Sequence, residues 1–165
     1  MLPEEEYQKL MDISPICTVD VLFFNKDKNK TLLFKRTSKP AQNKYFSIGG
    51  RLWKNEKMID CAKRQTYAES GLKIDKKQLI FGGVVEDIHP DSKYPGINYH
   101  AINIVYGYIL GSQEIKFDHQ HNDYRWFSVK DKTLHSFIKT RIKALLSKLW
   151  IQNPKSMLLA IEAWS

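Results

Sequence analysis

The chain has only two cysteines in 165 residues, Cys17 and Cys61, and their spacing matches neither a zinc cluster nor a disulfide framework. Both fall within apolar patterns, which predicts buried free thiols in a reducing compartment. No stretch approaches the ~20 apolar residues of a membrane-spanning helix, so no membrane partner is expected. The start, Met1-Leu2-Pro3-Glu4-Glu5-Glu6, is acidic where a secretory signal is basic and then apolar, and a cytoplasmic protein is expected. Internal repeats and low-complexity tracts are missing as well. Acidic residues are in deficit, 18 against 26 basic ones, for a formal charge of +8. That balance suits nucleic acid, a membrane surface or a small anionic substrate. The lysines are scattered: Lys26, Lys28 and Lys30 in one turn, Lys63 beside Arg64, Lys76 and Lys77, and Lys139 to Lys148 late in the chain. No aromatics interleave with them as base stacking requires, which argues against nucleic acid.

What is present reads as one α/β domain over residues 1–165, long enough for a proper core. Glu4 to Met11 predicts a short helix with Pro3 in its first turn. β-branched and aromatic runs predict strands at Ile16–Phe24, Thr31–Arg36, Tyr45–Ile48, Leu79–Val85, Ile102–Leu110 and Asp123–Ser128. The polar stretch between the fourth and fifth of these holds His89, Pro90, Pro95 and Gly96 and is expected to close over a site. Apolar residues at Leu134, Phe137, Ile138, Ile142, Leu145, Leu146 and Leu149 predict a helix over Thr133–Trp150, and Met157–Trp164 can add a short one.

The most informative stretch is Gly49-Gly50-Arg51-Leu52-Trp53-Lys54-Asn55-Glu56 and the run that follows it. A glycine turn leads into a helix from about Lys57 to Ser70, which stops on Gly71, where a left-handed residue is favoured. Glu56 stands at the helix start, suited to the positive end of the dipole. Gln65 and Glu69, four apart, project from one face. As a pattern this is Gly50-x5-Glu56-x7-Arg64-Gln65-Thr66-x-Ala68-Glu69-x-Gly71-Leu72.

That spacing resembles the Nudix box, G-x5-E-x7-R-E-U-x-E-E-x-G-U, except that Gln65 and Ala68 stand where most of these enzymes have Glu. The same two departures, together with Lys35-Arg36-Thr37-Ser38-Lys39-Pro40-Ala41-Gln42 and Gln120-His121-Asn122-Asp123-Tyr124-Arg125-Trp126, are similar to the GDP-mannose mannosyl hydrolase branch. The resemblance spans roughly Ser14 to Trp126 and implies an α/β/α sandwich around a mixed β-sheet.

It further implies a GDP-sugar substrate, GDP-mannose or GDP-glucose, split to GDP and free sugar by water attack at the anomeric carbon with inversion. Magnesium, with manganese able to substitute, would be held by Gly49, Glu69 and Gln120. His121 matches the general base, and Arg36, Arg51 and Arg64 match groups that stabilise the departing diphosphate, with Arg64 equally suited to an ion pair holding Glu56 or Glu69. Arg36, Arg51 and Asp20 match substrate-binding positions, and a homodimer is implied. Asn103 stands where the branch has a phosphate-binding tyrosine, so either Tyr99 or Tyr106 substitutes or that contact is lost. Two rivals stay open: a pyrophosphohydrolase attacking phosphorus, and a non-catalytic nucleotide- or RNA-binding module.

Overall fold

The computed structural model describes residues 2–112, 115 and 121–151. Its elements in chain order are helix α1 (Glu4–Ile13), strands β1 (Ile16–Phe24), β2 (Lys30–Arg36), β3 (Tyr45–Phe46) and β4 (Ile48–Arg51), helix α2 (Met58–Ser70), strands β5 (Ile80–His89), β6 (Tyr99–Ile109) and β7 (His121–Ser128), and helix α3 (Ser136–Ile151). A single 3-10 turn at Lys76–Gln78 precedes β5. The short helix expected at Met157–Trp164 lies outside the described residues.

The strands form one mixed sheet with the path β3-β2-β1-β6-β5, to which β4 adds by pairing with β1 and β7 by pairing with β2. β1 runs parallel to β6 along its whole length, whereas β4, β2 and β5 pair antiparallel with their neighbours. Alternation along β1 sends Val19, Val21 and Phe23 to one face and Leu22 and Phe24 to the other. On the first face they meet Cys61 and Ala62 of α2 and Leu72 beyond it. On the second they meet Ile138, Ile142, Leu145 and Leu149 of α3. A third, smaller cluster joins Met11 of α1 to Ile16 and Tyr94. The result is the expected α/β/α sandwich.

Two expectations are corrected. β5 runs on through Glu86-Asp87-Ile88-His89 and β6 starts at Tyr99, so the connection is only residues 90–98. This polar segment was not legible as strand because its partner supplies the register, Asp87 opposite Ala101 and His89 opposite Tyr99. Cys17, the second residue of β1, is exposed, whereas the rest of that strand and Cys61 are buried. Burial pushes the Cys61 thiol up to about 12, so it stays protonated.

Candidate functional site

β1 divides its antiparallel partners, β4 along Thr18–Val21 and β2 at Phe23–Phe24, and the separation opens a cavity of about 610 Å³. Asp20, Arg36, Gly49, Arg51, Arg64 and Glu69 all line it. Gln120 lies outside the described residues. His121 opens β7, where its backbone pairs with Arg36 of β2, and its side chain is not described.

The glycine turn is needed for close approach. A Cβ on Gly49 would lie 2.1 Å from Asp20 Oδ1 and 2.4 Å from the Val19 carbonyl oxygen, and one on Gly50 would lie 2.1 Å from Gln65 Nε2. β4 thus passes against β1 on one side and against the Gln65 side chain of α2 on the other. Past the turn, Asn55 takes a positive φ of 67°, and Gly71 ends α2 in the left-handed region at 68°.

Glu56 lies just ahead of α2, which begins at Met58, and accepts two hydrogen bonds from Arg64, Nε to Oε1 at 2.6 Å and Nη2 to Oε2 at 2.7 Å. Arg64 also donates from Nη2 to the Arg51 carbonyl at 3.1 Å, and its guanidinium lies 3.6 Å from the centre of the Trp53 ring. The hydrogen bond from Arg64 is the main reason the Glu56 carboxyl sits below its ordinary range. Of the two roles open to Arg64, this arrangement displays the ion pair with Glu56, at the cavity margin.

Glu69 is buried, at 6% exposure, on the cavity wall that α2 supplies, beside Gln65 and Ala68. With Gly49 nearby, the wall offers one carboxylate and backbone oxygen, a hard, sparse donor set. That suits magnesium, which keeps few protein ligands and completes its shell with phosphate and water. Among the described residues no three His, Cys, Asp or Glu side chains cluster as a metal site.

Arg36 is fixed by Nε donating to the Pro40 carbonyl at 2.9 Å, and the Arg51 guanidinium lies 5.0 Å from the centre of the Tyr7 ring. α1 therefore forms part of the cavity rim. Tyr99 lines the cavity with Asn103, whereas Tyr106 packs against Phe81 and is not among the lining residues. Burial pushes the Tyr99 phenol well up.

The floor holds residues that sequence reasoning missed. Arg141 of α3, 1% exposed, donates from Nε to Asp20 Oδ2 at 2.9 Å and from Nη1 to Asp87 Oδ1 at 3.2 Å, with a further short bond from Nη2 to Asp87 Oδ2. Burial alone would lower the Arg141 pKa, but the Asp20 and Asp87 carboxylates outweigh it and hold it raised. Ser47 Oγ adds a hydrogen bond to Asp20 Oδ2 at 2.6 Å, and Asn103 Nδ2 one to Asp87 Oδ2 at 3.4 Å. One signal was available: an arginine at 141 falls on the apolar stripe of Leu134, Ile138, Ile142 and Leu145, where a charge needs a partner. His89 also lines the cavity, stacked 5.9 Å from His135, and burial pushes both imidazoles down.

Residues 16–146 match the family model for the NUDIX domain. The chain is 24% identical over 145 residues to the low-salt glycan biosynthesis protein Agl8 of Haloferax volcanii, covering 87% of this chain and 90% of that one. Among solved structures it resembles a MutT NUDIX hydrolase from Burkholderia pseudomallei (TM-score 0.66, 18% identity, 80% of this chain and 98% of that one). It also resembles the NUDIX domain of Shewanella oneidensis NrtR complexed with ADP ribose (TM-score 0.65, 18% identity, 90% and 99%). A glycine turn closed on Asp20 and Gln65, a helix ending on Gly71, an Arg64–Glu56 pair beside them and a family match across most of the sandwich agree: this chain is a Nudix hydrolase.

Proposed function

We propose that this Nudix hydrolase splits a GDP-hexose, GDP-mannose or GDP-glucose, into GDP and the free sugar, with water attacking the anomeric carbon and inverting it. The observation that carries this reading is the wall supplied by α2: Glu69 shares the cavity with Gln65 and Ala68, at the positions that other members fill with acids. Attack on phosphorus draws on such carboxylates for metals and base; a site with one of them is better suited to expelling a diphosphate. The likeness to a protein named for glycan biosynthesis and to a domain holding ADP ribose, a diphosphate bearing a sugar, is in keeping with this substrate class.

In this mechanism His121, whose backbone pairs with that of Arg36, takes a proton from the attacking water as a neutral imidazole. The water oxygen bonds to C1, the C1–O bond breaks, and its electron pair remains on the β-phosphate. Arg36 and Arg51 bind the diphosphate and stabilise that charge, and Arg64 assists from the margin, where Glu56 already orients it. Asp20 accepts hydrogen bonds from the uncharged end of the substrate. Gly49, Glu69 and Gln120 would hold magnesium or manganese, which when bound neutralises the pyrophosphate. The whole chain is read as one catalytic unit that works in the cytoplasm as a homodimer. In the described residues no helix is long and apolar enough to cross a membrane.

Product analysis after turnover of GDP-mannose with magnesium in oxygen-18 water tests the reading. Label in free mannose with unlabelled GDP is expected. Label in GMP or mannose phosphate would assign attack to phosphorus, and binding without turnover of any nucleotide sugar would favour a non-catalytic module.

A further inference from the structure

The cavity lining carries both signs of charge. Arg36 and Arg51 contribute positive groups, while Asp20 and Asp87 set two carboxylates against the one guanidinium of Arg141. Asp20 comes from β1, Asp87 from β5, and β6 lies between them in the sheet. Arg141 reaches both from α3, on the sheet face that carries the second core cluster. All three are nearly inaccessible, at 8%, 3% and 1% exposure.

We infer that Arg141 is a positioning residue that sets which end of the substrate the floor accepts, by fixing one oxygen of Asp20 and presenting the other. The inference rests on the function proposed above. Among the described residues, the hydrogen bonds to Asp20 come from Ser47 and Arg141, and both fall on Oδ2. Oδ1 is turned against Gly49, at the place where a glycine Cβ would collide with it, and both residues line the cavity. A carboxylate oxygen accepts and cannot donate, so it selects hydroxyl groups and repels phosphate. The substrate is therefore sorted by charge, with its diphosphate on Arg36 and Arg51 and its sugar hydroxyls at Asp20. Arg141 is suited to this because a guanidinium is a planar fork that serves two carboxylates at once, whereas an ammonium is a single point of charge. Without the fork, Asp20 and Asp87 would repel each other across β6, and one of them would swing away or take up a proton.

The test compares the KM for GDP-mannose with the Ki for GDP, a ligand that has the diphosphate and lacks the hexose, in Arg141→Lys, Asp20→Asn and the double variant. Asp87→Asn, which weakens the brace from its other end with little change of shape, serves if Arg141→Lys does not fold. Arg141→Lys is expected to raise the KM about tenfold while GDP inhibition changes less than twofold, as for a lost charge-assisted hydrogen bond. The double variant should lose no more than Asp20→Asn alone, because the two act on one contact. A lower melting temperature with KM unmoved would make Arg141 a structural brace only and overturn the inference. KM and GDP Ki rising together would assign the Asp20 contact to the nucleoside or phosphates and overturn it equally. Failure of the functional reading shows separately, in the products of the parent enzyme, and if the parent does not turn over, dissociation constants for the two ligands by calorimetry give the same ratio.

Discussion

Arg64 and Glu56 face each other fork to fork, with both carboxylate oxygens engaged at 2.6 and 2.7 Å. The pair fastens the segment leading into α2 to the second turn of that helix, and so holds the glycine turn in register with the cavity. Arg64→Lys would lose the paired geometry, the Trp53 stack and the bond to the Arg51 carbonyl. A stability loss of about 1–3 kcal/mol is expected for the disrupted charged hydrogen bonds, read by denaturant unfolding.

The same pair has a pH signature. Glu56 has its pKa lowered in the folded state, chiefly by Arg64, so its contribution is present above the unfolded value near 4.5 and is lost as the pH falls through the folded value. Glu56→Gln should be less stable than the parent at pH 7, and the difference should shrink below pH 4.5. A gap of constant size across that range would assign the stabilisation to something other than ionised Glu56.

His89 and His135 give the opposite test. Burial lowers both folded pKa values below the unfolded 6.5, so the unfolded chain binds protons that the folded one refuses. Stability contributed by the neutral rings is present above pH 6.5 and declines as the pH drops from there toward the folded values. His89→Phe, which keeps an aromatic ring against Phe46 and Phe137, should flatten thermal unfolding midpoints between pH 6.5 and 5.

Gly49 and Gly50 should respond differently to a methyl group. At Gly50 the collision is with the Gln65 amide, a side-chain end that can move, so Gly50→Ala should cost about 1–3 kcal/mol and be relieved by Gln65→Ala. At Gly49 the Val19 carbonyl oxygen stands 2.4 Å away, so Gly49→Ala should have no such rescue and should disturb Asp20. Melting temperatures of the two singles and the Gly50→Ala, Gln65→Ala double decide this.

Chelation of divalent metal should abolish turnover, and Glu69→Gln should raise the magnesium concentration for half-maximal rate by about tenfold or more, as loss of an anionic ligand demands. His121→Ala should lower kcat by about 10²–10⁴ with KM little changed, the span for general-base catalysis. An unchanged kcat for that variant would remove His121 from the mechanism.

The sheet and its order of elements were legible because β1, β2 and β6 are dense in β-branched and aromatic residues and α3 keeps its apolar stripe. The cavity's glycine turn and Glu69 were legible because their chemistry lies in short, local spacing, whereas Arg36 and Arg51 came only from the family resemblance. Asp87 and Arg141 were not, since 54 residues separate them and only the packing of α3 on β5 brings them together. Glu56 lies just ahead of α2, where its spacing put it, and its pairing with Arg64 is one of the two ion pairs that spacing left open, chosen by packing. Tyr7 and the rim formed by α1 left no trace in the sequence pattern, because an amphipathic first helix reads the same wherever it docks.

The parallel seam between β1 and β6 joins nine registered residue pairs from Ile16↔Ala101 to Phe24↔Ile109, about half the chain apart in sequence. During synthesis the first strand therefore waits, with one long edge unsatisfied, until the ribosome has delivered β6, the third-to-last element. Closing so wide a loop costs chain entropy before any contact across it repays the search, which slows folding relative to a hairpin-built sheet. The nascent half-domain, carrying Val19, Val21 and Phe23 without their neighbour, is the species on which chaperones would act and from which aggregates would grow.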